Sequence, residues 1–383
     1  MVRAARAVSF SVRNLFKRAA ATTAAPSLAA QALVDRGIAA EAAGAADQAL
    51  QCYRQAIEAG PGFAPAHMNL GIALQAAGEM AAAITAYRQA LALDPDYAAA
   101  HYNLALAQLI SGEYAQAEAR FRAALRLRAD FPEAWVGLAD ALEALGRDED
   151  ALAALDRAIG QRAHYAGAMF NASALLRKLG RLEAAEARLR DFPQDHPEYP
   201  NALLARAALL RELGRLPQAE ASYRRACELK PDDPEAHYNL GAALQVLGRP
   251  SEAEAAYRRA LEIKPDYPEA HNNLGAALRA LGRLAEAEAS YRRALELKPD
   301  YAEAHSNLGN ALREQGRLAE AEASYRRALE LNPDFSEAHC NLGNALRDQG
   351  QLAEAEASYR RALELKPDFC DGYANLLFVL NYH

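Results

Sequence analysis

The phrase His271-Asn272-Asn273-Leu274-Gly275-Ala276-Ala277-Leu278 returns thirty-four residues later as His305-Ser306-Asn307-Leu308-Gly309-Asn310-Ala311-Leu312. It returns again as His339-Cys340-Asn341-Leu342-Gly343-Asn344-Ala345-Leu346. A fixed period of this length constrains a chain more than any local propensity does. Each period must be one supersecondary unit that covers its apolar face by stacking on the next, so no single central core is required. Counted from Ala30, ten 34-residue units span 30–369 and a partial unit runs 370–383.

Numbering positions 1 to 34 within a unit, each recurring residue type has a mechanical reason. Position 7 is mostly Leu (Leu70, Leu104, Leu138, Leu240, Leu274, Leu308, Leu342), and so is position 11, which draws one apolar stripe along a first helix, helix A. Position 15 is Gly in every complete unit, the residue that tolerates the left-handed backbone closing a helix. Small residues at position 8 and Ala at position 20 let two helices approach; a Leu there overpacks by roughly 1–3 kcal/mol. Positions 20, 24 and 27, as in Ala287, Tyr291 and Ala294, form the inward stripe of helix B. Pro at position 32 stops that helix. Asp at position 33 and Glu at position 2 (Glu235, Glu269, Glu303, Glu337) are expected to favour the next helix N-terminus.

This pattern resembles the tetratricopeptide repeat, whose consensus places Trp, Leu-Gly, Tyr, Ala, Phe or Tyr, and Pro along the same positions. The resemblance covers the ten units at 30–369, and it implies an all-α fold, a right-handed α-solenoid of stacked helix-turn-helix pairs. His largely replaces the position-4 aromatic; Trp135 keeps the Trp. The expected organisation is a basic N-terminal extension at 1–29, repeats 1–5 at 30–199 with the fifth irregular, repeats 6–10 at 200–369, and the first helix of an eleventh repeat at 370–383. The units at 132–165 and 166–199 depart most: position 24 is Leu155 and Leu189, and Phe192-Pro193 must shorten a helix B by about a turn. A change of path or a hinge is expected near 192–200.

Charge and cysteine usage narrow the function classes. The net charge is −7, yet residues 1–34 carry Arg3, Arg6, Arg13, Lys17 and Arg18 and no acid, so the repeats are acidic and ill suited to nucleic acid. Cys52, Cys227, Cys340 and Cys370 lie far apart without a CxxC pair, which indicates neither zinc nor a disulfide framework and fits a reduced, cytoplasmic setting. Near the N-terminus Val8, Val12, Leu15 and Phe16 share a helical face opposite Arg3, Arg6, Arg13 and Lys17. That segment reads either as a frayed tail or cap, or as a basic amphipathic helix; membrane contact is open only through residues 1–18.

Two rows of polar residues are candidates for chemistry. Six histidines recur at position 4: His67, His101, His237, His271, His305 and His339. Successive A helices lie ~10 Å apart, whereas ligands of one zinc converge to ~2 Å, so these are read as packing residues. No GxGxxG, Walker A, HExxH or GxSxG motif is present; the expectation is no cofactor and no enzymatic activity for this chain alone. Position 6 reads Asn69, Asn103, Asn171, Asn239, Asn273, Asn307, Asn341 and Asn375, broken by Asp35, Gly137 and Ala205. Asn is a weak helix former, so its recurrence wants a cause. In the resembled family this position faces the concave groove, where an amide's two donors and two acceptors suit the backbone of an extended peptide. The alternatives are passive copying by duplication, or bonding between adjacent A helices. Asn310 and Asn344 at position 9, and Arg279, Arg313 and Arg347 at position 12, extend that surface. Position 2 is commonly Glu and position 5 is never Lys, which disfavours a clamp for a terminal carboxylate.

The last stretch, Cys370 to His383, is a helix A followed by no helix B, and Leu376, Leu377, Phe378, Val379 and Leu380 leave its edge apolar. The repeated Asn-Leu-Gly phrase, the asparagine row and the Asn375-Leu376-Leu377-Phe378 ending resemble the repeat region of the O-linked N-acetylglucosamine transferase and SPINDLY-like family. In that family such an array leads into a nucleotide-sugar-dependent glycosyltransferase region. The resulting expectation is a module binding extended protein segments along an asparagine-lined groove, as the substrate-recognition half of such a transferase. The alternative is a structural scaffold self-associating through its C-terminal edge.

Overall fold

A computed structural model of the chain describes residues 28–368 and 370–380. The basic helical face expected near the N-terminus lies outside the described residues. Among those residues the chain is helical throughout, in the order α1 (Leu28–Ala42), α2 (Ala46–Ala59), α3 (Ala64–Ala76), α4 (Met80–Leu93), α5 (Ala98–Ile110), α6 (Tyr114–Leu127), α7 (Pro132–Ala144), α8 (Asp148–Gln161), α9 (Ala166–Lys178) and α10 (Leu182–Arg190). There follow α11 (Tyr199–Glu212), α12 (Leu216–Leu229), α13 (Pro234–Val246), α14 (Pro250–Ile263), α15 (Pro268–Ala280), α16 (Leu284–Leu297), α17 (Ala302–Glu314), α18 (Leu318–Leu331), α19 (Ser336–Asp348), α20 (Leu352–Leu365) and α21 (Cys370–Leu380). Odd-numbered helices are the A helices and even-numbered ones the B helices. The described chain separates into two compact units, parting between Arg188 and Leu189. No helix among the described residues is long and apolar enough to cross a membrane.

Each A–B corner is a tight reversal. Gly282 sits at φ 74°, its N–H bonds the Arg279 carbonyl at 2.9 Å, and the Arg283 N–H reaches back to the Leu278 carbonyl at 3.0 Å. These are the two bonds of a Schellman ending, and all ten position-15 glycines share the left-handed backbone, with φ from 71° to 86°. Inside the corner, the aromatic ring at position 24 is fully buried in Tyr53, Tyr87, Tyr257, Tyr291, Tyr325 and Tyr359. Its seat is the position-8 glycine of its own A helix: a Cβ on Gly309 would lie 2.6 Å from Tyr325 Cε1.

Alanine fills three further buried rows. Position 20 is Ala at zero exposure from Ala49 to Ala355, and position 27 is equally buried wherever it is Ala. A third row, passed over in the sequence, is position 3: Ala66, Ala100, Ala134, Ala168, Ala236, Ala270, Ala304 and Ala338 are all sealed from water. Within each compact unit an A helix packs against its own B helix and the preceding B helix, and at most steps touches the next A helix.

Two local expectations meet different outcomes. Helix α10 has 9 residues where α8 has 14, because the ring of Pro193 cannot continue a helix and restricts Phe192. Phe192 instead folds inward, 2% exposed, with its ring edge-on to His196 at 5.2 Å. The position-33 aspartates, in contrast, do not cap. The N-cap is position 34, held by Tyr267, Tyr301 and Phe335 without a side-chain bond. Among the described residues a carboxylate caps where position 34 is itself acidic, at Asp233, which accepts from the first-turn amides of Glu235 and Ala236. Lying one residue too early, Asp232, Asp266 and Asp334 reach forward to Arg259, Arg293 and Arg361 of the next B helix at 3.1–3.2 Å.

Candidate functional site

The position-4 histidines each have a separate employment. Nε2 of His101, His237, His271, His305 and His339 donates to the carbonyl of the proline six residues earlier (Pro95, Pro231, Pro265, Pro299, Pro333) at 2.9–3.1 Å. The proline ends the preceding B helix, so each histidine ties its A helix to the loop that delivers it. Since a carbonyl only accepts, the proton sits on Nε2. Burial pulls the imidazoles of His67, His101, His271 and His305 below their ordinary value, favouring the neutral form. Among the described residues no group of three or more His, Cys, Asp or Glu is arranged to hold a metal.

The asparagine row lies along the A helices, and half of its eight amides share one habit. The position-6 Nδ2 reaches back to position 5 of the preceding A helix. Asn103 meets Met68 Sδ at 3.9 Å, Asn273 meets Tyr238 Oη at 3.1 Å, Asn307 meets Asn272 Oδ1 at 3.0 Å and Asn375 meets Cys340 Sγ at 3.8 Å. Asn272 also donates to Asn273 Oδ1 at 3.2 Å, which joins α13, α15 and α17 through one polar chain. Elsewhere the donor turns to its own surroundings: Asn69 and Asn103 bond the carbonyls of Pro65 and Ala99, and Asn171 bonds Asp140 Oδ1 at 3.3 Å. Asn239 and Asn341 are half-buried.

This bonding stitches neighbouring helices without exhausting the amides. Each carries two donors and two acceptor lone pairs, and one or two of the four are engaged at most positions. Asn103, 9% exposed, is the most enclosed of the row. The position-9 amides are engaged internally, since Asn310 and Asn344 accept from Tyr325 Oη and Tyr359 Oη at 2.8 and 2.9 Å. The position-12 arginines are also paired, Arg279 with Glu314, Arg313 with Asp348, and Arg347 with Asp348 and Asn375 Oδ1.

Tyr238 is the residue the sequence reading missed on this face. Its ring lies 5.0 Å from that of Tyr267 at a tilt of 38°, and its hydroxyl receives the Asn273 donor. Burial pushes its hydroxyl above the ordinary tyrosine value, with the carboxylates of Glu269 and Glu303 adding to the shift. The available signal was position 5, a variable slot that holds Met68, Tyr102, Tyr238, Asn272, Ser306 and Cys340. Asp140, at position 9 beside Asn171, is held at about 6 by burial and then by Glu143.

Family models described as tetratricopeptide repeat, or TPR repeat, match residues 30–63, 76–110, 108–164, 207–248, 232–300, 266–334 and 306–368. The chain is a tetratricopeptide repeat protein. A solved tetratricopeptide repeat protein from Parabacteroides merdae is 18% identical, aligns over 65% of this chain and 99% of its own, and has a TM-score of 0.52. A thermophilic TPR protein of Thermus thermophilus is 29% identical over 48% of this chain and 99% of its own, with a TM-score of 0.42. A search of curated proteins returned no match. No catalytic domain is evident in the repeats, and tetratricopeptide arrays serve in general to bind protein partners.

One break in the asparagine row has a steric cause. Repeat 3 carries Ala105 at position 8 and Phe121 at position 24, and Phe121 Cε1 lies 2.5 Å from where a Cβ on Gly137 would be. Restoring the ladder residue with Gly137→Asn should therefore lower stability by about 1–3 kcal/mol, although Asn is a better helix former than Gly. Chemical denaturation measures this; a neutral or stabilising result removes the steric explanation.

Proposed function

We propose that the chain is a protein-interaction module that binds extended segments along the A-helix face, with Asn69, Asn103, Asn171, Asn239, Asn273, Asn307, Asn341 and Asn375 contacting the ligand backbone. The observation that carries this reading is the half-used state of the amides. A bond to the neighbouring helix fixes the orientation of Asn273 and Asn307, and their remaining capacity is left for a ligand. A backbone ligand suits the row because its amides and carbonyls recur whatever its side chains are. Asn310 and Asn344 join the surface only by releasing their tyrosines.

The finer reading is that this module is the substrate-recognition half of an O-linked N-acetylglucosamine transferase-like enzyme. What supports it is the asparagine row together with the phrase at 375–378. Reading the gene past His383 tests it: a nucleotide-sugar glycosyltransferase frame supports it, and any other sequence ends it.

A second reading, self-association, is favoured by Leu377, Phe378 and Leu380 in α21, which are 61%, 48% and 43% exposed. For the binding module, peptides selected on the wild-type chain from a random library should lose at least tenfold in affinity on Asn239→Ala/Asn273→Ala/Asn307→Ala/Asn341→Ala, at about 1 kcal/mol per lost bond. Helix content by circular dichroism should not change, and undiminished affinity refutes the row. For self-association, light scattering should show an oligomer that Leu377→Glu/Leu380→Glu converts to a monomer; a monomeric wild type discards it.

A further inference from the structure

Away from the asparagine row, repeat 3 holds a cleft of about 510 Å³ between α4, the loop at Pro95 and Asp96, and α6. Its walls include Arg88, His101, Gln108, Arg120, Ala123 and Arg126. The regular repeats show why the cleft exists here. In the unit starting at Pro268, the equivalent of Ala123 is Arg293, which fills the groove by pairing with Asp266 at 3.1 Å and Glu296 at 3.0 Å. Alanine opens that space and leaves Asp96, the counterpart of Asp266, with no ion pair to this position of helix B among the described residues.

The surrounding substitutions change the charge in one direction. Where the regular unit has Glu286, Ser290 and Glu296, repeat 3 has Gln116, Arg120 and Arg126. Two acids are gone and two arginines have arrived. On the facing helix, Arg258 of a regular unit pairs with Glu254, whereas Arg88 finds Ile84 at that position. Arg88, Arg120 and Arg126 consequently form no ion pair among the described residues, in a protein whose other B-helix arginines are commonly paired.

A second, independent observation marks the same walls. Position 11 is Leu in most units, yet here it is Gln108, 2% exposed, whose Oε1 is buried without a partner while its Nε2 bonds Glu113 and Gln116. His101, 8% exposed, gives its Nε2 proton to Pro95 and leaves a buried Nδ1 unpartnered. A buried polar atom without a partner is costly, and Gln108 and His101 each carry one, so this wall departs from the apolar packing of the regular repeats.

We propose that this cleft binds a small phosphate-bearing molecule, of nucleotide size, whose phosphate is held by Arg88, Arg120 and Arg126. Guanidinium forks match phosphate oxygens in pairs, and the volume lies within the range of small-molecule sites. Phosphate against Arg88, Arg120 and Arg126 places the organic part toward Asp96 and His101. The site is separate from the A-helix face and does not depend on the peptide-binding reading.

Isothermal titration calorimetry on the full chain tests it with AMP, adenosine and inorganic phosphate as probes. AMP should bind the wild type, and at least tenfold more weakly to Ala123→Arg and Arg126→Glu. Both variants install the residue of the regular repeats, and unchanged circular dichroism checks that they fold. Inorganic phosphate binding as tightly as AMP overturns the proposal, since the organic part then contributes nothing. No binding of AMP or phosphate at millimolar concentration, equal affinity in wild type and variants, or adenosine binding as tightly as AMP overturns the proposal.

Discussion

Six of the ten repeats depend on one close contact, the aromatic ring of helix B pressed onto a position without a side chain on helix A. Tyr291 on Gly275, Tyr325 on Gly309 and Tyr359 on Gly343 repeat it with Cβ-to-ring spacings of 2.6–2.9 Å. That approach is too short for an ordinary side chain, so glycine is chosen here for space, against its poor helix propensity. Around it the alanine rows at positions 3, 20 and 27 are sealed from water, and each A helix also packs on the preceding B helix.

Repeat 3 shows what happens when the contact is altered. With Ala105 in place of the glycine, Phe121 meets the next A helix instead, where Gly137 makes room. The same repeat has exchanged acids for arginines along α6 and replaced a core Leu by Gln108. In a solenoid a departure of this kind disturbs only its neighbours, so a repeat is free to diverge while the regular units keep the stack. The cleft at Ala123 belongs to that freedom.

The asparagine row bonds between adjacent A helices, one of the alternatives the sequence left open, and ligand contact remains our proposal for it. Asn273 and Asn307 bond the preceding A helix, yet each amide keeps capacity beyond that bond. The donor finds position 5 of the neighbour, thirty-five residues earlier, whose identity changes from Met68 to Tyr238 to Asn272. No period search singles out such a pairing, because one partner is constant and the other varies. The aspartates at position 33 misled for a related reason: a shift of one residue decides whether a carboxylate caps its own helix or pairs with Arg293 on another.

From the thirty-four-residue period alone follow the helix pairs, their glycine endings, the inward stripes and the shortening before Pro193, because these rest on spacing along one chain and on backbone geometry. The tertiary structure decided what the polar residues do. Whether His271 packs or ligates, whether Asp266 caps or pairs, why Gly137 interrupts the asparagines and where Arg120 and Arg126 stand unpaired all depend on distances between helices. Those distances are set by side-chain volumes on both partners, and a sequence read along one strand shows only one partner at a time.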